Sequence, residues 1–159
     1  MRITVVCAGK LKEKYLSQGI AEFQKRLTPF CSFEIREIHE EKMPAEPSAA
    51  EKKQVLTREG ERLLRQVPQG SYLIVLDVFG RELSSEELSA RLDALALQGK
   101  SSIAFLIGGA FGLSEEVRAA ADCRLSFSRL TFTHQMVRLL LIEQIYRAFK
   151  ISRGEKYHW

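Results

Sequence analysis

The stretch Ile103-Ala104-Phe105-Leu106-Ile107-Gly108-Gly109-Ala110-Phe111-Gly112 runs from a continuous apolar segment directly into a cluster of glycines. A short apolar run that ends in glycine is typical of a strand covered on both faces in a parallel sheet. Glycines that follow such a strand leave bare backbone amides, which a ligand can approach closely. The stretch therefore predicts an α/β fold with a candidate binding loop at its end.

A second candidate loop follows at Ser126-Phe127-Ser128-Arg129-Leu130-Thr131-Phe132-Thr133-His134, which is rich in serine and threonine. Such a loop offers both backbone and hydroxyl groups to a ligand. A third segment, at Leu76-Asp77, ends another continuous apolar run that begins at Tyr72. Because ligands collect at the carboxyl ends of parallel strands, we expect Leu76, Gly108 and residues 127–132 to line one crevice.

Hydrophobic periodicity predicts that strands and helices alternate along the rest of the chain. Ser48-Ala49-Ala50-Glu51 and Ser84-Ser85-Glu86-Glu87 have the spacing of capping boxes and predict two helix starts. At 159 residues, the chain is expected to form a single domain over 1–159. The predicted strands are 3–8, 33–38, 72–76, 103–107 and a short one near 125, and the predicted helices are 16–27, 49–67, one from 85, 115–120 and 134–151.

Composition excludes several classes of protein. With 45% hydrophobic and 28% charged residues the chain is globular, and it has no apolar run of the roughly 20 residues that a membrane span needs. The opening residues read as a strand, not as a signal peptide, so we expect a cytoplasmic protein. Cys7, Cys31 and Cys123 are isolated, which predicts reduced and mostly buried thiols, with neither disulfides nor a metal site.

Charge and apolar patterning of the C-terminal part point to partners. From Arg124 onward there are seven Lys or Arg residues and only two acidic residues. This excess of positive charge fits either a surface that binds a phosphate backbone or one that is only solvated. The tail around His158 combines basic and aromatic residues, which suits a nucleic-acid base or, alternatively, a frayed terminus. The helix over 134–151 is apolar on more than one face, and we expect its second face to form a dimer interface.

Several motifs have plainer alternatives. The glycine cluster is not GxGxxG and follows a late strand, so a tight turn without a ligand remains open. Asp77 fits a turn or cap better than a ligand contact, His39 is expected to be exposed, and His134 fits a capping or core role. No Ser-His-Asp arrangement, carboxylate pair or metal motif can be assembled by spacing, so hydrolytic chemistry is disfavoured.

Taken together and in order, several motifs resemble the ribosomal RNA large-subunit methyltransferase H family, small members of the SPOUT class. The resemblance covers the whole chain. It is carried by Gly9-Lys10-Leu11-Lys12, Ile107-Gly108-Gly109, Ser126-Phe127-Ser128 with Thr131 and His134, Tyr146-Arg147-Ala148, and Tyr157-His158. Thr133 stands where many relatives carry proline and Ala110-Phe111 where relatives have smaller or polar residues; a threonine there can cap the following helix.

This resemblance implies a parallel sheet flanked by helices with a C-terminal trefoil knot, the knot and cofactor loops lying within about 72–159. It implies S-adenosylmethionine as methyl donor, N3 of a large-subunit (23S) rRNA pseudouridine as acceptor, assembled ribosomes as substrate, and a homodimer with a composite active site. It implies no metal. The implied cofactor-binding residues are Leu76, Gly108, Gly109, Gly112, Phe127, Ser128, Arg129, Leu130, Thr131 and Phe132.

The resemblance also implies that Arg147, Arg153, Tyr157 and His158 lie near the target base. We hypothesise that His158 accepts or relays the proton of the base, while Arg147 or Arg153 stabilises negative charge on the base oxygens. Three alternatives stay open: a methyltransferase of the same class that acts on transfer RNA, a ribosome-associated protein that binds the donor without transfer, and a dinucleotide oxidoreductase.

Overall fold

Strands and helices alternate along the chain as the sequence predicts. The computed structural model describes residues 1–157. The strands are β1 (Arg2–Ala8), β2 (Ser32–Ile38), β3 (Tyr72–Glu82), β4 (Ser102–Ile107) and β5 (Cys123–Ser126). The helices are α1 (Lys14–Leu27), α2 (Ala49–Gln66), α3 (Ser85–Leu97), α4 (Glu115–Ala120) and α5 (His134–Ser152).

The five strands form one parallel sheet in the order β2-β1-β4-β3-β5. In the centre of the sheet, Val5 of β1 lies opposite Ile35 of β2 and Phe105 of β4. The sequence prediction of a parallel α/β sheet flanked by helices is confirmed. Because all strands point the same way, the loops that follow β3, β4 and β5 meet at one edge of the sheet.

Helices cover both faces of the sheet, and two apolar cores result. Ile3, Val5 and Cys7 of β1 point into a first core, which is shared with α1, α3 and α5. Val6 and Ala8 point the opposite way, into a second core shared with α2 and α4. Alternation of side chains along a strand explains why one continuous apolar run supplies both cores.

Local side-chain chemistry fixes where two of the helices begin. Ser48 accepts a hydrogen bond from the Glu51 amide, and the Glu51 carboxylate accepts one from the Ser48 amide. Ser84 and Glu87 form the same pair at the start of α3. Both predicted capping boxes are confirmed, and each cap of this kind stabilises its helix by about 1 kcal/mol.

Strand β3 is longer than the sequence predicts, because it continues past Leu76 to Glu82. Its pairing with β5 jumps from Leu76 to Arg81, and both of these residues lie opposite Leu125. A β-carbon at Gly80 would lie 2.7 Å from the backbone of Arg124, so only glycine allows the two strands to approach this closely. The prediction failed here because residues 77–82 lack a continuous apolar pattern.

The second apolar face of α5 packs mainly within the same chain. Helix α5 contacts both α1 and α3, and Leu139, Tyr146 and Phe149 pack against the first core. The prediction that this whole face awaits a second subunit is corrected for these residues, since neighbouring helices cover them. Met136 and Leu140 are only half-buried and belong to neither core.

The cysteines are free, but they are not equally buried. Cys7 is buried in the first core, whereas Cys31 and Cys123 are only partly buried, contrary to the expectation for those two. Burial raises the pKa of Cys7 to about 12 and that of Cys31 to about 11, so both thiols are protonated at neutral pH. Within residues 1–157, no helix is both long and apolar enough to cross a membrane.

Candidate functional site

A cavity of about 780 Å³ lies at the carboxyl ends of β3, β4 and β5. The two candidate loops of the sequence meet here, together with the end of the apolar run at Leu76. Of the ten predicted cofactor-binding residues, only Arg129 is absent from the cavity wall. The nine that line the cavity are Leu76, Gly108, Gly109, Gly112, Phe127, Ser128, Leu130, Thr131 and Phe132.

The loop after β4 is a tight turn that depends on glycine. The Gly112 amide donates a hydrogen bond to the Gly109 carbonyl oxygen at 3.2 Å, and Gly112 has a φ of +93°. A β-carbon at Gly108 would lie 2.7 Å from the Gly112 carbonyl oxygen and from the Leu113 side chain. The glycine cluster therefore has a structural cause, and the turn that it makes forms part of the cavity wall.

The loop after β5 is held by its own hydroxyl groups. Ser126 donates to the Ser128 carbonyl oxygen at 3.1 Å, and the Ser128 hydroxyl accepts from the Leu130 amide at 3.0 Å. Thr133 caps α5 by accepting a hydrogen bond from the Met136 amide at 3.3 Å, as predicted for a threonine at this position. The loop is thus fixed between the end of β5 and the first turn of α5.

Asp77 lies in the cavity wall and is buried, with 5% of its surface exposed. Its carboxylate accepts hydrogen bonds from the Phe79 amide at 3.2 Å and from Arg118 Nε at 3.0 Å. A second guanidinium, that of Arg124, lies 3.5 Å away. The sequence predicts a turn or cap at Asp77, but the structure places both Asp77 and Phe79 within β3, and the arginine pairing was not visible in the sequence.

Arg138 of α5 is completely buried beside the cavity end of the helix. It pairs with the Glu37 carboxylate and donates to the carbonyl oxygens of Ala8 and Gly9, at 3.3 and 3.0 Å. This charge therefore attaches the first turns of α5 to the end of β1. Sequence reasoning missed the residue, because an arginine in a basic helix reads as an exposed one.

His134 begins α5 and lines the cavity. Its Nε2 atom lies 3.1 Å from the Glu40 carboxylate, although the angle does not suit a hydrogen bond. Burial lowers the pKa of His134, and this effect outweighs the opposite influence of Glu40. The imidazole is accordingly neutral at pH 7. It is partly buried in the cavity wall, and the predicted cap of α5 is Thr133 instead. His39 is exposed, as expected.

Behind the glycine loop stands a buried acid that the sequence analysis did not single out. Glu59 of α2 is 6% exposed, and its carboxylate accepts hydrogen bonds from the amides of Gly109 and Glu41, at 3.2 and 3.3 Å. Burial raises the pKa of Glu59, and the nearby acids Glu40 and Glu41 act in the same direction. A glutamate in an amphipathic helix gives no sequence signal for such a position.

Two of the predicted catalytic residues meet near the C-terminal end of α5. Glu143 accepts hydrogen bonds from Arg147 Nε at 3.0 Å and from the Tyr157 hydroxyl at 3.0 Å. The Arg147 guanidinium also lies over the Tyr157 ring, 4.8 Å from its centroid. Burial raises the pKa of Tyr157, and the hydrogen bond to Glu143 raises it further. Glu143 is the organising residue here, and sequence reasoning missed it.

Arg153, a further predicted catalytic residue, is held at another place in the structure. Arg153 donates to the Pro29 carbonyl oxygen at 3.2 Å, and its guanidinium lies 4.2 Å from the centroid of the Phe30 ring. His158 lies outside the described residues. Arg153 is thus attached to the turn between α1 and β2.

Among residues 1–157, the predicted catalytic residues do not line the cavity. Helix α5 has 19 residues, which corresponds to a length of about 28 Å. His134 at its first residue lines the cavity, whereas Arg147, Arg153 and Tyr157 do not. Among residues 1–157, no cluster of potential metal ligands occurs either. The cavity by itself offers backbone amides, hydroxyl groups and apolar walls, which suit binding of a small molecule.

Comparisons with known proteins cover the whole chain. A family model described as a predicted SPOUT methyltransferase matches residues 1–158. The ribosomal RNA large subunit methyltransferase H of Halothermothrix orenii is 51% identical over 158 residues, which cover 99% of each chain. The protein of the same name from Clostridioides difficile is also 51% identical, with the same coverage. That from Pelotomaculum thermopropionicum is 53% identical over 157 residues, covering 99% of this chain and 98% of the relative.

Proposed function

The chain belongs to the SPOUT methyltransferase family, and from that premise we propose that it methylates N3 of a pseudouridine in large-subunit (23S) ribosomal RNA, with S-adenosylmethionine as donor. The observation that carries the proposal is the identity of about half of all residues, over the full length, with relatives named as ribosomal RNA large subunit methyltransferases. Methyl transfer rests on the family, whereas the acceptor atom and the assembled ribosome as substrate are the proposed refinements.

The cavity fits a donor of this kind. A volume of about 780 Å³ lies in the range of sites for ligands of this size, and the walls combine apolar side chains with backbone polar groups. We propose that the nine predicted residues in its wall hold the donor, and that Arg129 contributes from outside the wall. When bound, S-adenosylmethionine supplies a methyl group on an already activated sulfonium.

The cavity residues then orient the methyl donor. A rigid turn at Gly108–Gly112 and a hydroxyl-braced loop at 127–133 hold a ligand in one direction without side-chain rearrangement. Correct alignment of reacting atoms lowers the barrier by making the reaction effectively intramolecular. The chain needs no acidic or nucleophilic group at the methyl itself.

The C-terminal residues act on the base that accepts the methyl group. We propose that Arg147 and Arg153 stabilise negative charge on the oxygens of the base, and that His158 accepts or relays the proton from N3. Glu143 holds Arg147 and Tyr157 in one cluster, which leaves the Tyr157 hydroxyl protonated because its pKa is raised. The cluster can therefore present one fixed cation to the base.

We propose a homodimer, in which the C-terminal residues of one subunit complete the cavity of the other. Support comes from the positions of Arg147, Arg153 and Tyr157, which do not line the cavity of their own chain. Met136, Leu140, Glu143 and Arg147 follow a helical spacing that runs from the cavity end toward the Arg147 cluster, so one partly uncovered face joins both regions. Near the cavity mouth, Leu130 is 71% exposed and Phe132 43% exposed, which favours burial against another chain.

We also propose that residues 1–159 form one methyltransferase domain with the trefoil knot of its family within about 72–159. Supporting this, the chain passes from β4 across β3 to β5, and Gly80 allows an unusually close approach of β3 to the backbone of Arg124. A ribosomal substrate further implies that the protein acts in the cytoplasm.

The test is transfer of a labelled methyl group from S-adenosylmethionine to four substrates: assembled ribosomes, isolated large subunits, free rRNA and tRNA. We expect label at N3 of a large-subunit pseudouridine, with assembled ribosomes preferred. Label on tRNA alone would contradict the rRNA substrate. Binding of the donor without any label would instead indicate a ribosome-associated binding protein, and the proposal would be wrong.

A further inference from the structure

Glu59 is a buried carboxylate without a cationic partner. Only 6% of the residue is exposed, and within residues 1–157 no lysine, arginine or histidine nitrogen lies within ion-pair distance of it. An unpaired buried charge is costly unless hydrogen bonds compensate for it. A residue of this kind is therefore more easily explained by a task in the site than by a contribution to stability.

The two oxygens of Glu59 fasten two different loops. Oε1 accepts from the Gly109 amide in the cavity wall at 3.2 Å, and Oε2 accepts from the Glu41 amide at 3.3 Å. Glu41 belongs to residues 39–47, a segment without helix or strand that we call the strap. A carboxylate can serve both amides at once because both of its oxygens are acceptors.

The strap also reaches the opposite wall of the cavity. Glu40 lies beside His134 at 3.1 Å, on the wall formed by α5. Next to it, Glu41 pairs with Arg62 of α2 at 2.5 Å. The strap therefore runs from Glu59, which holds the glycine loop, to the first turn of α5, where Glu40 lies next to His134 without a hydrogen bond.

Glycine at position 109 fits this contact. A β-carbon there would lie 2.8 Å from Glu59 Oε1, so any side chain would push the carboxylate away from the amide that it holds. Because Gly109 has no positive φ, the backbone conformation does not demand glycine at this position. The closeness of Glu59 supplies the reason for it.

We propose that Glu59 is a positioning residue for the methyl donor, whose carboxylate holds the Gly109 amide and thereby the glycine loop of the cavity wall. The proposal rests on the proposed function, since it assumes that the donor binds at the glycine loop. Glu59 does not touch the donor, and its effect passes through the backbone of Gly108–Gly112.

The experiment measures binding of S-adenosylhomocysteine by calorimetry, together with KM for S-adenosylmethionine and kcat on ribosomes. Glu59→Gln keeps the size but offers one acceptor in place of two, and Glu59→Met fills the volume without any acceptor. Glu61→Gln is the matched control, because Glu61 lies two residues further along, on the opposite and exposed side of α2, where it pairs with Arg65 at 3.6 Å. Thermal unfolding of every variant reports on the fold.

We expect Glu59→Gln to weaken binding and to raise the KM for the donor about tenfold, the effect typical of losing one hydrogen bond to a charged group. The kcat at saturating donor is expected to stay within about twofold of the original. Glu59→Met is expected to weaken binding further while its melting temperature stays close to that of the unmodified protein, because removal of a buried charge offsets the loss of two hydrogen bonds. The control is expected to match the unmodified protein.

Two outcomes separate this proposal from the one on which it rests. If the unmodified protein does not bind S-adenosylhomocysteine, the proposed function fails and Glu59 has no donor to position. If the unmodified protein binds and both Glu59 variants bind equally well, only the role of Glu59 is refuted. A melting temperature and an affinity that fall together in both variants would assign Glu59 a purely structural role and overturn the proposal.

Discussion

The regions at the two ends of α5 present different kinds of chemical group. At the cavity end, the wall consists of a glycine turn and a braced loop, and behind it the buried groups Glu59 and Arg138 hold backbone amides and carbonyls. At the C-terminal end, the functional groups are side chains, with Glu143 holding Arg147 and Tyr157. One region shapes a site through its backbone, and the other presents charge and aromatic rings.

Under the proposed function, donor binding and chemistry on the base belong to different regions of the chain. Backbone groups are fixed by the turns that carry them, so the cavity exists within a single chain. Arg147 lies 13 residues after His134, which is about 20 Å along the helix, so the proposal assigns it to the cavity of a second subunit. Substitutions at the two ends should therefore change different quantities.

The largest effect is expected at the C-terminal end. Arg147→Ala removes the cation that Glu143 holds, and kcat should fall by about 10²–10³ because a preorganised charge at the base is lost. Affinity for the donor, measured by calorimetry, should stay unchanged. Arg65→Ala on the exposed side of α2 serves as the control and should keep full turnover. If Arg147→Ala also lost affinity for the donor, the separation of donor binding at the cavity from chemistry at the C-terminal residues would be contradicted.

Next in size is a stability effect at the cavity end. Arg138→Met should lower the free energy of unfolding by about 2–3 kcal/mol, because Glu37 loses its partner and the Gly9 carbonyl its donor. Because the Glu37 side chain is partly exposed, the loss of unfolding free energy is smaller than for a fully buried ion pair. Urea unfolding measures the change. Arg65→Met, the matched surface variant, should differ from the unmodified protein by less than about 0.5 kcal/mol; a similar result for Arg138→Met would contradict the anchoring role.

A smaller effect, confined to binding, is expected in the glycine turn. Gly108→Ala places a β-carbon 2.7 Å from the Gly112 carbonyl oxygen, and the turn must shift to admit it. Overpacking of this kind costs about 1–3 kcal/mol, so donor affinity should fall roughly tenfold or more, with little change in kcat at saturation. Gly99→Ala alters a glycine that has open space around it and controls for the substitution itself, although its φ of +76° adds some strain away from the cavity. Unchanged affinity in Gly108→Ala would show that the turn does not hold the donor.

The smallest effect concerns pH. The pKa of His134 is lowered by burial, so the unfolded chain binds more protons than the folded one as pH falls through about 6.5. His134 faces Glu40 of the strap, Arg138 of α5 and Lys12 of the loop after β1. The unfolding free energy should therefore decrease between pH 7 and 5.5, and His134→Gln should remove part of that decrease.

The pH profile of the unmodified protein must be compared with that of His134→Gln because Glu59 contributes to both. The pKa of Glu59 is raised in the folded chain, so its protonation increases the unfolding free energy as pH falls. The difference between the pH profiles of the unmodified protein and His134→Gln isolates the imidazole. Superimposable profiles would mean that His134 is not desolvated by the cavity wall.

Much of the fold was predictable because its signals are local. Alternation of apolar segments gave five strands and five helices, and the boxes at Ser48 and Ser84 located two helix starts to the residue. Residues 77–82 were the exception, since their strand conformation depends on pairing with β5 and not on their own apolar pattern. The burial of Cys31 and Cys123 was likewise overestimated, because it depends on which element lies over each of them.

The loops of the cavity wall follow from the sequence alone, because glycines and hydroxyl residues after apolar strands fix local turns and parallel strands bring those turns to one edge. Which charged residues hold these regions in place depends on how the helices pack. Glu59, Arg138 and Glu143 are ordinary helical residues in the sequence, and their partners lie 50, 101 and 14 residues away at Gly109, Glu37 and Tyr157. A hydrogen bond between residues that are distant in sequence leaves no periodic pattern in the chain. Because it forms only when the helices pack, its contribution to stability can be read only from the folded structure.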